Sequence, residues 1–234
     1  MANNREWRRE LVYERSQKDE FMAHHPESPF VAERIPFHPL KYFPPDPRLR
    51  VPARLERRDP PEESYLRTNR DGQAVMRLIG DLVFRIGPHE HRLRVYHAGE
   101  GVGTSVFVPF RDASSGKETY GPGRYLTLEL NESDEYELDF NRAFNPYCAY
   151  TDAYECGFPP SENDLPVAIR AGEKVWAADR NPRTPSALLL DRARGRTPPT
   201  PRSPASARIP QGSDARGGAP NRRAPARSRR PVSR

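Results

Sequence analysis

Lysine is scarce in this chain: there are four, Lys18, Lys41, Lys117 and Lys174, against 34 arginines. Such a skew reflects a GC-rich coding sequence rather than a function. Cysteine is scarcer still. Cys148 and Cys156 are the full set, and the seven residues between them exceed the two to four of a zinc knuckle. No apolar run approaches the about 18 residues that a membrane-spanning helix needs. The opening segment, MANNREWRRELVYERSQ, is charged and lacks the apolar core of a signal peptide. These absences lead to an expected cytoplasmic location, no membrane partner, and two cysteines held as thiols rather than a disulfide. Acidic residues are nearly missing from one end alone. Residues 181–234 hold 13 arginines against Asp191 and Asp214, a net charge of +11, which leaves −5 on residues 1–180. The pI near 9.5 therefore belongs to the C-terminal segment, and the body is mildly acidic.

What is present is mostly strand pattern. Residues 5–22 read as a helix, with Trp7, Leu11, Lys18 and Met22 near one face and Phe21 beside them. From His24 to Pro61, frequent prolines exclude regular helix. Leu49–Leu55 reads as a strand, placed at an edge because Pro52 interrupts it. Tyr65–Thr68, the turn Asp71-Gly72 and Ala74–Ile79 read as a hairpin. Leu82, Phe84 and Ile86 alternate up to Gly87-Pro88, and Leu93 and Val95 alternate on the return. Gly99–Gly103 reads as a flexible loop. Val106, Val108 and Phe110 follow, then Leu126, Leu128 and Leu130, then Tyr136, Leu138 and Phe140, and lastly the apolar run Leu165–Ile169. Many short strands with short turns predict an all-β fold, a mainly antiparallel meander that is barrel-like or a compact sandwich. The N-terminal helix, residues 1–25, covers an edge or an open end of the β-rich domain at 26–178. Beyond it, residues 179–234 have the composition of disorder, with a short helix over Ser186–Arg194.

The polar residues concentrate between Val106 and Tyr150. Pairing Leu130 with Tyr136 puts every apolar residue of the two flanking strands on one face, as would a register slipped by two residues. The same register sets Arg124 opposite Arg142, where like charges repel and burial is costly without a negative partner. That partner is either a carboxylate of the protein, such as Asp112, Glu118 or Glu173, or an anionic ligand gripped by the guanidinium forks. On the second reading the site is Arg111, Tyr120, Arg124, Asn141, Arg142 and Asn145, binding a small carboxylate or phosphate. An enzyme using the same pocket would draw on Asp139 or Glu173 as base and Cys148 as nucleophile. The bland alternatives are that Asp139 caps the Asn141–Asn145 turn and that Cys148 is a packed thiol.

Other chemistry lacks its spelling. Gly116-Lys117 is followed by Glu118, not Ser or Thr, and then by a strand, so it is not a phosphate loop and Gly116, Gly121 and Gly123 serve turns. His89 and His91 flank a turn, and His24-His25 sit among prolines, so no metal and no cofactor is expected. The arginine-rich segment offers non-specific contact with nucleic acid as a third route to function.

Several separated segments, FRDASSGKETYGPGRYL, LDFNRAFNPYCAY and PPSENDLPVAIRAGEK, with RSQKDEF, SPF and GDLVFRI before them, resemble in order a prokaryotic family known as domain of unknown function 1684. The resemblance spans about residues 5–176. It implies no particular reaction. It does mark Arg111, Asp112, Tyr120, Arg124, Asp139, Asn141, Asn145, Cys148, Asn163 and Glu173 as motif positions. The chain departs from the family pattern at Tyr147 and at Gly157-Phe158, which alters the loop around the two thiols while keeping both.

Overall fold

The structure, a computed structural model, describes residues 4–98 and 105–176. The expectations for the Gly99–Gly103 loop, the Ser186–Arg194 helix and the basic segment 179–234 lie outside the described residues.

Six strands form one curled antiparallel sheet: β1 Arg50–Arg67, β2 Gln73–Ile86, β3 His89–Ala98, β4 Ser105–Asp112, β5 Arg124–Glu129 and β6 Glu135–Asp139. Their order across the sheet is β5-β4-β3-β2-β1-β6, and a short β7, Asp164–Leu165, adds to β4 in parallel. The result is a half-barrel. Its inner face is the main core, where Val51, Leu55, Leu82, Phe84, Leu93, Val95, Val108, Phe110, Leu126, Leu138 and Phe140 are all buried. Alternation with a period of two put these side chains on one face of each strand.

Two expectations about strands need correction. Apart from their end residues Leu49 and Thr68, the segments Leu49–Leu55 and Tyr65–Thr68 are parts of one long strand, β1, and β1 is not an edge, because it lies between β2 and β6. The prolines are accommodated without breaking it. The β1–β2 ladder begins at Ala53, one residue past Pro52, and its register slips between Arg57 and Glu62, where Asp59, Pro60 and Pro61 fall. A second slip, between Leu78 and Gly80, lies in the β2–β3 ladder. Gly80 suits it, since a Cβ there would run into the Glu56 carbonyl. Beyond the slips a second apolar cluster, Leu66, Met76, Leu78 and Tyr96, forms on the other face of the sheet.

The predicted hairpin is the larger correction. β5 and β6 do not pair with each other: β5 pairs with β4, Arg124 standing opposite Phe110, and β6 pairs with β1. They are the two outer strands of the curled sheet, joined by residues 130–134. Leu126, Leu138 and Phe140 still share one core, because alternation specifies which face a side chain takes and not which strand lies beside it. Arg142 leaves the strand for a single 3-10 turn, Phe140–Arg142.

Helix α1, Asn4–His24, matches the expected helix and lies on this assembly through one stripe. Trp7, Leu11 and Met22 on that stripe are buried, and Arg15 and Lys18 between them are half-buried. The proline-rich stretch after it contains one α-helical turn that the prolines were expected to exclude, α2, Pro29–Ala32, and a 3-10 turn at Pro47–Leu49. Ser28 caps it, and Pro29 stands in the first turn, where a missing N–H has no partner to lose.

The chain ends its described course as an extended strap over residues 166–176. Ala113 donates to the Val167 carbonyl at 3.1 Å, Phe43 to Gly172 at 2.9 Å, Glu173 to Ala143 at 2.9 Å and Lys174 to Lys41 at 2.8 Å. Gly172 adopts φ +72, and a Cβ there would overlap the Ala143 carbonyl. Gly172→Ala is therefore expected to destabilise the fold by at least about 2 kcal/mol, measured by urea denaturation.

His91 sits on the inner face against Phe84, only 8% exposed, and its buried Nε2 has no hydrogen-bond partner. Burial, with His89 nearby, holds its pKa below the ordinary 6.5. The folded state thus binds fewer protons than the unfolded one as pH falls through about 6.5. Stability should be full above that value and decline below it, down to the folded pKa. His97 is shifted the same way by burial, so it shares the effect. A pH series of thermal melts in which His91→Gln shows a shallower decline than the parent chain would match this reading.

Candidate functional site

Arg124 is fully buried, and both terminal nitrogens of its guanidinium are occupied by the protein itself, while its Nε has no partner. Nη2 donates to Asp112 Oδ2 at 2.9 Å and to the Ile169 carbonyl at 2.8 Å. Nη1 donates to the Ala171 carbonyl and to the Glu173 carbonyl, the latter at 3.0 Å. Three alternate carbonyls of the strap thus converge on one side chain. Asp112 completes the knot, its Oδ1 accepting from Ser114 N at 2.8 Å and from Ile169 N at 3.1 Å. Burial lowers the Arg124 pKa below the usual arginine value and Asp112 opposes that shift. Of the partners weighed from sequence, the protein's own Asp112 meets this arginine.

Arg142 lies apart from it, turned toward α1. It grips Glu14 with two hydrogen bonds, 2.9 and 2.8 Å, and reaches Asp139 Oδ2 at 3.0 Å. Asp139 is only 5% exposed, because Trp7 of α1 covers it and donates its indole Nε1–H to Oδ2 at 2.8 Å. Its other oxygen accepts from Asn141 N at 3.0 Å, so Asp139 caps a turn, but that turn is Phe140–Arg142 rather than the expected Asn141–Asn145. Asn141 fixes the proline-rich loop, exchanging hydrogen bonds with the Asp46 backbone at 2.8 and 2.9 Å.

A third cluster surrounds Glu173, which is 1% exposed. Its carboxylate takes the Lys18 ammonium from α1, Asn145 N at 2.8 Å and the Tyr150 hydroxyl at 2.9 Å. Asn145 Nδ2 donates to the Lys174 carbonyl at 2.8 Å. Around this nest stand three buried polar atoms outside hydrogen-bond geometry: Asn145 Oδ1, Trp176 Nε1 and the Tyr42 hydroxyl, the last directed at the Glu173 carboxylate. Trp176 meets Phe30 and Tyr150 edge-on, at 5.2 and 5.8 Å between ring centres. Burial first, and Glu173 second, push the Tyr42 and Tyr150 hydroxyls far above the ordinary tyrosine value, so both stay protonated donors. Glu173 is thus anchored to a cation and two donors.

The remaining candidates fall elsewhere. Arg111 is exposed, 3.7 Å from Asp164. Tyr120 reaches the Cys148 carbonyl at 3.3 Å, and Cys148 is 7% exposed. The residues proposed as one site therefore divide among an arginine clamp, a helix knot, a glutamate nest and the Tyr120–Cys148 contact, with Arg111 at the surface. Among the described residues no group of His, Cys, Asp and Glu could hold a metal ion, and no helix is long and apolar enough to cross a membrane. Sequence reading missed Tyr42, Tyr150 and Trp176. Lys18 did leave a signal: it is a cation on the apolar stripe of α1.

Comparison with known proteins agrees with the resemblance. The pattern of the family described as protein of unknown function (DUF1684) matches residues 36–174. Among solved structures, an uncharacterised protein from gene locus rrnAC0354 of Haloarcula marismortui, determined by NMR in solution, is 36% identical and superimposes with a TM-score of 0.58, over 73% of this chain and 95% of that one. No curated protein matches. The chain belongs to the family of proteins of unknown function numbered 1684.

Proposed function

We propose that this half-barrel is a binding module for a small molecule seated beneath helix α1, beside the Glu173 nest. The observation that carries the proposal is the trio of unpartnered buried atoms, Asn145 Oδ1, the Tyr42 hydroxyl and Trp176 Nε1. Buried polar groups in folded proteins are nearly always hydrogen-bonded, and each exception calls for an explanation such as strain, a catalytic role, or a water, ion or ligand; these three stand out among the unpartnered atoms by clustering around one carboxylate. Two donors and one acceptor, bordered by the Phe30, Tyr150 and Trp176 rings, suit a compact molecule with an acceptor group and a planar body. A carboxylate or carboxamide presents such an acceptor. An anion bound by Arg124 and Arg142 would have to displace Asp112 and Glu14 from close hydrogen bonds, so the open hydrogen-bonding capacity favours the nest instead.

The test uses the full chain, a panel of small carboxylates, carboxamides and phosphates, and melting temperature as readout. Trp176→Phe keeps the ring contacts and removes an unsatisfied donor, so without ligand it should melt within a degree or two of the parent, or above it. The expected result is that at least one carboxylate or carboxamide raises the parent's melting temperature and fails to raise that of Trp176→Phe. The reading is overturned if no member of the panel stabilises the parent, or if the variant responds equally.

A further inference from the structure

Asn145 is 2% exposed, and one contact fixes which way its side-chain amide faces. Nδ2 donates to the Lys174 carbonyl at 2.8 Å, so the opposite orientation would set oxygen against oxygen. Oδ1 is left on the other side of the amide, buried and without a donor. The backbone N–H of the same residue meets Glu173 Oε2 at 2.8 Å, and the Tyr150 hydroxyl meets that oxygen at 2.9 Å. The Tyr150 ring in turn stands 5.1 Å from Phe30 and 5.8 Å from Trp176, between ring centres. Tyr150 thus joins the polar end of the nest, with its carboxylate and Asn145, to the three rings.

The cations of this region are already committed. Lys18 lies against the Glu173 carboxylate and 4.8 Å above the Phe144 ring. Arg15 spends Nη1 on the Phe43 carbonyl at 3.0 Å and Nη2 on the Asn141 carbonyl at 3.2 Å, with its guanidinium 4.4 Å above the Tyr42 ring. Only its Nε is left, and a single N–H is not the fork that grips a carboxylate. The Lys174 ammonium sits 4.7 Å from the centre of the Phe43 ring. An anion buried beside Asn145 would face Glu173 and Oδ1 with no cation of its own, and an unpaired buried charge is costly. A neutral group that donates a hydrogen bond satisfies Oδ1 and adds no charge.

We propose that the molecule bound at the nest is a neutral aromatic carboxamide, whose N–H donates to Asn145 Oδ1 and whose carbonyl accepts from the Trp176 indole N–H. The inference rests on the nest being a binding site and names the class of molecule it takes. A carboxylate offers the acceptor but brings a charge and no donor. A tertiary amide is neutral but has no N–H to give. The aromatic body lies among Phe30, Tyr150 and Trp176, whose rings meet one another tilted or edge-on.

The experiment compares benzamide, benzoate and N,N-dimethylbenzamide on the full chain at neutral pH and equal concentration, by melting temperature. Benzamide at ten times its dissociation constant should raise the melting temperature by roughly 3–6 °C. Benzoate and N,N-dimethylbenzamide should bind at least about tenfold more weakly, and Trp176→Phe should lose the response to benzamide. Benzoate matching or exceeding benzamide would overturn the neutral class. N,N-dimethylbenzamide matching benzamide would overturn the donor to Asn145. In both cases the nest would stand as a binding site. Silence of all three compounds, where another member of the wider panel stabilises the chain, overturns the aromatic amide alone. Silence of the whole panel removes the site and the amide with it.

Discussion

Replacing Arg124 with leucine is expected to lower the unfolding free energy by about 3–5 kcal/mol, the range for removing one partner of a buried ion pair. The size follows from what is left behind. The Asp112 carboxyl would be left in an enclosed place with only two backbone donors, Ser114 N and Ile169 N. The carbonyls of Ile169, Ala171 and Glu173 would lose their shared donor together. Arg124→Lys should fall between the two, since a single ammonium keeps the charge but cannot span the fork that now meets Asp112 and three carbonyls. Urea denaturation of both variants gives the measurement. A loss under about 1 kcal/mol for the leucine variant would mean that the clamp contributes little beyond a surface pair.

Glu173→Ala should have the next largest effect, about 3 kcal/mol, with a local signature. The Lys18 ammonium, Asn145 N–H and the Tyr150 hydroxyl all lose their acceptor at once. Lys18 is the link from α1 to this nest, so the helix should loosen before the sheet does. Backbone amides of α1 are expected to exchange with solvent faster in this variant, while those of β2 and β3 change little. Equal acceleration across helix and sheet would show that Glu173 supports the whole fold instead of the helix contact.

Much of the fold can be read directly from residue spacing. The alternation in Leu126–Leu130 and Tyr136–Phe140 assigns a core face, and the structure keeps it. The same alternation is silent about partners, so two strands adjacent in sequence were paired when they are the outer strands of a curled sheet. Prolines at 52, 60 and 61 argue for a break, yet the β1–β2 ladder starts just past Pro52 and one register slip carries β1 past the other two. At the site, the demand for a negative partner at Arg124 was sound, and Asp112 was among the carboxylates that it indicated. The strap carbonyls were beyond reach, because a backbone acceptor has no residue type to announce it. Tyr42, Tyr150 and Trp176 were missed for a related reason. Aromatics look like core in any sequence, and only packing reveals which of their polar atoms go without a partner.

The chain has two tryptophans, which makes the central claim open to one direct measurement. Trp7 donates its indole N–H to Asp139, and the Trp176 indole N–H is buried without an acceptor. In a nitrogen-15 proton correlation spectrum the two indole signals are separable, and Trp176→Phe assigns them. Titration with the carboxylate or carboxamide that raises the melting temperature should move the Trp176 signal downfield as it gains an acceptor, with the Trp7 signal unchanged. A stabilising ligand that shifts Trp7 and leaves Trp176 in place would contradict a site beside Glu173 and put it at the helix knot instead.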